Sequence, residues 1–142
     1  MILIDADLLL YAYDAASPKH AQARRWLEEM LAKADPVLLP WNSIHAFLRI
    51  ATNPRAWRSP LATDEARAIV DEWLSLPNVL VPSPGERHWE ILRELLVDSQ
   101  CHGPLVADAV LAALAIEHGA ELCTNDRDFS RFPNLRTVNP LE

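Results

Sequence analysis

Cysteine, lysine and positive charge are all scarce in this chain, and no part of it is long and apolar enough to cross a membrane as a helix. Only two cysteines, Cys101 and Cys123, occur among its 142 residues. They are too few for a disulfide framework and lack the close spacing of a metal-binding pair, so both are expected as reduced thiols and structural zinc is not expected. No apolar run reaches the roughly 20 residues that span a bilayer. Met1 leads through Ile2, Leu3 and Ile4 straight into Asp5 without a basic stretch or cleavage motif, so the expectation is an unexported, cytoplasmic protein with no membrane contact. Lysine occurs only at Lys19 and Lys33, and the formal net charge is −7. That balance excludes a broad basic surface, which sequence-independent binding to nucleic acid needs in order to neutralise phosphates. Any grip on a polyanion must then be local. The remaining cations are arginines, whose forked donors suit phosphate or carboxylate, and Arg49, Arg55 and Arg58 lie close together in the sequence.

What the chain has in quantity is apolar residues, 50% of the total, enough for one good core and one domain over residues 1–142. Met1–Ile4 is a short apolar run ending in an acid, which suits a fully buried strand. Similar short runs fall at Val37–Leu39, Val79–Val81 and Glu121–Thr124, with a weaker one at Arg136–Val138. Between them lie segments with the 3.6-residue spacing of helices: Pro18–Ala34, Asn42–Thr52, Thr63–Leu76, Pro84–Val97 and Leu105–Ile116. In the third of these Ala66 stands where a capping box wants Glu or Gln, if Thr63 is the cap. Prolines punctuate the boundaries and no repeat is present. Strands alternating with helices predict a parallel sheet covered on both faces, a three-layer α/β/α domain.

Three acids stand where such a fold places its ligands, beyond the carboxyl ends of strands. Asp5 follows the first strand directly; its alternative role is to cap the segment Leu8–Asp14, a role Asp7 fills at least as well. Asp108 sits a turn inside a helix that is apolar all round, with Pro104 favouring the first position, and no Lys or Arg on that helix can pair with it. Some cation is expected to reach it from elsewhere. Asp126 and Asp128 lie in the polar turn Cys123-Thr124-Asn125-Asp126-Arg127-Asp128-Phe129, where Asp126 could equally cap a short helix from Arg127 to Phe132. If the first and fourth strands are neighbours, Asp5, Asp126 and the first turn of the Asp108 helix meet at one edge. Carboxylates so crowded repel unless cations intervene, and hard Mg²⁺, with Mn²⁺ as substitute, suits oxygen donors.

With these residues in hand the chain resembles the PIN-domain ribonucleases and, among them, the VapC toxins of toxin–antitoxin pairs. The resemblance rests on Ile2-Leu3-Ile4-Asp5-Ala6-Asp7, on Phe47-Leu48-Arg49-Ile50-Ala51-Thr52-Asn53-Pro54-Arg55, on Asp108-Ala109 with Ala112-Ala113-Leu114-Ala115, and on Thr124-Asn125-Asp126-Arg127-Asp128-Phe129. It implies metal-dependent hydrolysis of RNA by Asp5, Asp108 and Asp126, with Asp128, Thr124 and Asp7 as accessory groups and Arg49 and Arg55 on the substrate. It also implies a small antitoxin as partner, and a homodimer or a toxin–antitoxin hetero-oligomer. Two departures stand out. Many relatives carry Asn in place of Asp7, and many carry Glu just before the Phe-Leu-Arg stretch, where this chain has His45 and Ala46. His45 is expected as a packed core residue, and Trp41 and Trp57 are candidates either for the core or for base stacking. Two other functions fit parts of the sequence: a module that binds RNA or an antitoxin without cutting, and an aspartate-nucleophile phosphatase built on Asp5-Ala6-Asp7.

Overall fold

The computed structural model describes residues 1–142 and places five strands in one sheet, in the order β3-β2-β1-β4-β5, every neighbouring pair parallel. The strands are β1 (Ile2–Ile4), β2 (Val37–Leu38), β3 (Val79–Leu80), β4 (Glu121–Cys123) and β5 (Thr137–Val138). Helices α1 (Ala6–Tyr13), α2 (His20–Ala32), α3 (Trp41–Ala51), α4 (Thr63–Ser75), α5 (His88–Asp98) and α6 (Leu105–His118) connect them. Each predicted strand and helix is present, the strands with shorter ends and the helices with ends shifted by up to four residues, α6 running on to His118.

Alternation along the strands divides the core in two, because successive side chains point to opposite faces. Ile4, Val37, Leu39 and Cys123 join one buried cluster with Leu8, Leu27, Phe47 and Trp73; Leu3, Leu38 and Leu122 join the other with residues of α5 and α6. The sheet is therefore the middle of three layers, as the strand–helix alternation implied. In the first cluster Phe47 and Trp73 meet edge to face at 4.8 Å between ring centroids, with Tyr13 edge-on to Phe47 at 5.7 Å. Such pairs add to the burial of the rings themselves. Trp57 belongs to this core, which leaves it no surface for stacking.

Several boundaries differ from the sequence expectation for identifiable reasons. Helix α5 begins at His88 rather than Pro84, because the Glu117 carboxylate accepts the N–H groups of Gly85 (2.8 Å) and Arg87 (3.0 Å) and holds that segment as a turn. The cap of α4 is Ala62, one residue earlier than expected, so Glu65 takes the third helical position and its carboxylate accepts Ala62 N–H at 3.0 Å. Half of a capping box is thus present where Ala66 had argued against one. Helix α6 is not enclosed on all sides. Ala109, Leu111 and Ala112–Ala115 are buried, the small alanines letting it press on the sheet and α5, but Val106 and Ala107 in its first turn are exposed. The cleft described next opens at that first turn.

Candidate active site

Strand order reverses at β1: the chain proceeds from β1 to β2 and β3 on one side and returns to β4 and β5 on the other. The connections leaving the ends of β1 and β4 therefore run in opposite directions at a switch point, the usual ligand crevice of an open parallel sheet. Asp5 follows β1, and Thr124 follows β4; Asp5 N–H donates to Cys123 O at 3.0 Å, tying the two strand ends together.

The site grows out of that tie. Asp5, not Asp7, is the N-cap of α1, accepting Ala6 N–H at 2.8 Å on one carboxylate oxygen. Its other oxygen accepts the Thr124 hydroxyl at 2.8 Å. Thr124 Oγ1 in turn accepts Asp126 N–H at 3.0 Å, and Asp126 accepts Asp128 N–H at 2.9 Å as the cap of a 3-10 turn over Arg127–Arg131. Asp126 thus both caps its turn and belongs to the acidic group; the two roles do not compete. Asp7, freed from capping, points across to β4 and accepts Asn125 N–H at 2.9 Å on Oδ2, while its Oδ1 is buried with no hydrogen-bond partner.

Asp108 reaches the same place from α6. One small cleft of about 130 Å³ is lined by Asp5, Asn42, Ser43, Ala46, Ala107 and Asp108, so β1, α3 and α6 each contribute a wall. A separate polar cleft of about 380 Å³ is lined by Thr124, Asn125 and Asp126 with Arg127, Asn139 and Glu142, and is linked to the first through the Thr124–Asp5 hydrogen bond. Asp108 is only half-buried, which corrects the expectation of an acid enclosed in a central helix. Desolvation still pushes its carboxyl up to about 6, helped by the charges of Asp126, Asp5 and Asp128 and opposed by that of Arg131. The cation expected to pair with Asp108 is not found: Arg131 acts on it only through its charge, forms no ion pair with it, and donates instead to Asp128 O at 3.1 Å. Burial raises Asp5 as well, against the hydrogen bonds from Thr124 and Ala6. Asp7 is raised furthest, to about 7, by burial and then by the charge on Asp5. All three shifts have the same origin: negative charge withdrawn from water and left beside more negative charge.

Sequence reasoning missed α3's contribution. Its N-terminus presents Asn42, Ser43 and Ala46 to the cleft, and the Ser43 hydroxyl donates to the buried Ile4 carbonyl at 2.8 Å, which locks α3 to the strand carrying Asp5. A polar Ser43 beside the apolar Ile44 and Phe47 was the available signal. Where the expected Glu is missing, Ala46 is the residue that faces the cleft. His45 faces away and is exposed rather than packed in the core; its ring stacks on exposed Trp41, because one residue along a helix turns the side chain by about 100°. Arg49, Arg55 and Arg58 are exposed and none forms an ion pair. Arg49 lies on α3 itself; Arg55 and Arg58 follow its far end and are not part of the cleft.

No three acid, histidine or cysteine side chains encircle a common point in this arrangement. The donor set nevertheless fits a hard divalent cation. Acidic oxygens predominate at the site, burial and then neighbouring negative charge raise the carboxyls of Asp5, Asp7 and Asp108 above the usual range, and Asp7 Oδ1 is a buried acceptor with nothing to accept from. Cys101 and Cys123 are free thiols, and Cys123, at the end of β4, is buried in the core.

Comparison with known proteins agrees with this architecture. The family model for the PIN domain matches residues 2–135. Ribonuclease VapC31 of Mycobacterium tuberculosis is 39% identical over 140 residues, covering 99% of each chain. Ribonuclease VapC33 of the same organism is 40% identical over 141 residues, again covering 99% of both. Among solved structures, VapBC2 from Rickettsia felis bound to a DNA fragment from its promoter superposes with a TM-score of 0.71 at 20% identity, covering 98% of each chain. Mycobacterium tuberculosis VapC20, described as a sarcin-ricin loop cleaving toxin, gives 0.67 at 22% identity, over 96% of this chain and 99% of that one. With a domain match over nearly its whole length and relatives of equal length near 40% identity, this chain belongs to the PIN domain family.

Proposed function

We propose that this protein is the toxin of a toxin–antitoxin pair and acts as a metal-dependent ribonuclease, hydrolysing RNA phosphodiester bonds at the cleft between β1, α3 and α6. The observation that carries the reading is the convergence of Asp5, Asp7, Asp108 and Asp126, from three separate elements, on the switch point of the sheet. Relatives of the same length named as VapC ribonucleases support it.

In this reading Asp5 and Asp108 are the principal metal-holding groups, Asp126 and Asp7 assist, and Mg²⁺ or Mn²⁺ is the ion. When bound, such an ion lowers the pKa of a water and offsets charge on the phosphate. The chain's own residues prepare the place. Thr124 fixes one oxygen of Asp5 and the backbone of Asp126 through a single hydroxyl, so these two acids keep a set separation. Asn125 N–H holds Asp7 by one oxygen and leaves the other free. Asp128 remains exposed and adds charge near Asp108. Arg49 and Arg55 are assigned to the RNA backbone, outside the cleft, where acids would otherwise repel phosphate. Hydrolysis of this kind leaves 5′-phosphate and 3′-hydroxyl ends.

The partner follows from the same reading. A small antitoxin is expected to bind and silence the protein, as the solved VapBC complexes suggest for their own chains. The test uses purified, partner-free protein with labelled total RNA and graded Mg²⁺ or Mn²⁺, beside Asp5→Asn and Asp108→Asn. Metal-dependent cutting that both substitutions abolish supports the assignment. A folded wild-type protein that cuts nothing in either metal leaves a module that binds without cleaving, with Ala46 in place of an acid as the structural reason.

A further inference from the structure

Helix α3 has two functional rows, and only one belongs to the acidic cleft. It buries Ile44, Phe47 and Ala51 on one side and turns Asn42 and Ala46 to the cleft. On its open side stand Trp41, His45 and Arg49, all exposed, with the indole left 49% accessible. The core has no need of that indole. Trp41 and His45 lie nearly parallel, 26° between planes and 5.7 Å between centroids, so the imidazole braces the larger ring from one side. At about 100° per residue, Arg49 falls between the Trp41–His45 row and the Asn42–Ala46 row. It makes no ion pair and no side-chain hydrogen bond, so its guanidinium is available.

We infer that Trp41, braced by His45, forms a stacking platform that receives an unpaired nucleobase of single-stranded RNA immediately beside the acidic cleft, with Arg49 flanking it to meet the phosphate. The inference rests on the ribonuclease reading and adds where that substrate is gripped. Aromatic rings and guanidinium planes are the surfaces on which unstacked bases settle, and every base offers a π-face. Charge points the same way. A protein of net charge −7 with carboxylates at its reaction site cannot hold a polyanion by bulk electrostatics. Affinity must come from stacking, with single arginines placed to meet phosphate. Trp41 and Asn42 are consecutive residues, so a base on the platform belongs to the same short stretch of RNA as the phosphate in the cleft.

The test compares two fluorescein-labelled probes of equal length and charge, a decamer of adenosine nucleotides and a decamer of abasic ribose phosphates, by anisotropy in low salt with EDTA. Wild-type protein should bind the adenosine decamer on the order of tenfold more tightly. Trp41→Ala should remove most of that preference and Trp41→Phe should retain most of it, while Arg49→Gln should weaken both probes alike. Circular dichroism and sedimentation run in parallel. An unchanged preference in folded Trp41→Ala, or no preference in wild type, overturns the platform. A substitution that alters the sedimenting mass but not the preference overturns it too, and marks this face as a contact between copies. Loss of the platform with RNA cutting intact leaves the ribonuclease reading standing; a wild type that neither binds the probes nor cuts RNA removes both.

Discussion

Replacing Asp7 by Asn should stabilise the metal-free protein above neutral pH and leave it little changed in acid. The ordinary aspartate value is 3.8, and burial together with the charge on Asp5 lifts Asp7 to about 7 in the fold. Between those values the folded state binds the proton and the unfolded state does not, so stability falls as pH rises. The contribution is complete below about pH 4 and gone once pH passes the folded value. Integrating the linkage between pH 5 and pH 8 gives a loss on the order of 2–3 kcal/mol in wild type, which the uncharged amide escapes. The geometry suits the replacement. The amide oxygen can keep the bond from Asn125 N–H, and the amide nitrogen puts a donor where Asp7 Oδ1 now has no partner. Urea unfolding at half-unit steps from pH 5 to pH 8 in EDTA measures both proteins. The expected result is a stability difference, variant minus wild type, that climbs steadily with pH. A flat difference, or one that shrinks, would refute the argument that Asp7 carries an unrelieved charge. Mg²⁺ should narrow the gap, since a ligand of the native state stabilises by about 2.7 kcal/mol at a hundred times its Kd. Wild type should gain more than the variant.

Four further outcomes follow from the same structure. Proton and metal compete for Asp108, raised to about 6, and Asp7, raised to about 7, so apparent Mg²⁺ affinity by calorimetry should rise from pH 5.5 to pH 8 and then level. Asp108→Asn should lower RNA cutting by more than the roughly 10–100-fold that loss of an outer-shell metal partner costs, with the circular dichroism spectrum unchanged. Ala46→Glu puts a further acid into the cleft, and should lower the melting temperature in EDTA while enlarging the upward shift caused by Mg²⁺. Ser43→Ala leaves the Ile4 carbonyl buried without its 2.8 Å partner and should cost about 1–3 kcal/mol in urea unfolding.

The layered fold was legible because two local rules suffice for it. Short apolar runs ending in acids, prolines or asparagines mark buried parallel strands, and the 3.6-residue spacing marks the helices between them. All five strands were found this way. Helix ends were less legible, because remote groups set them: Glu117 stops α5 from starting at Pro84. The chemistry of the site was legible in kind. Asp108 stood out as an acid without a local partner and Asp5 and Asp126 as acids just beyond strands, and the structure does bring them to one edge. Asp7 was misassigned as the helix cap, since capping preference alone does not separate two aspartates two residues apart. His45 and Ala46 could not be separated either, until the rotation of α3 turned one to Trp41 and the other to the cleft.

Sequence by itself determined the residue types, the alternation of strand and helix and, through its resemblance to PIN domains, the family to which the domain match assigns the chain. Those are properties of short windows and their order, and they survive without knowledge of contacts. Tertiary structure alone decided which acids share a cleft, which of them give up hydrogen bonds, and how far their protons are held. It decided these because the pairing of β1 with β4 brings Asp5 beside Thr124, 119 positions apart in sequence, and an acid's charge is governed by what surrounds it in space.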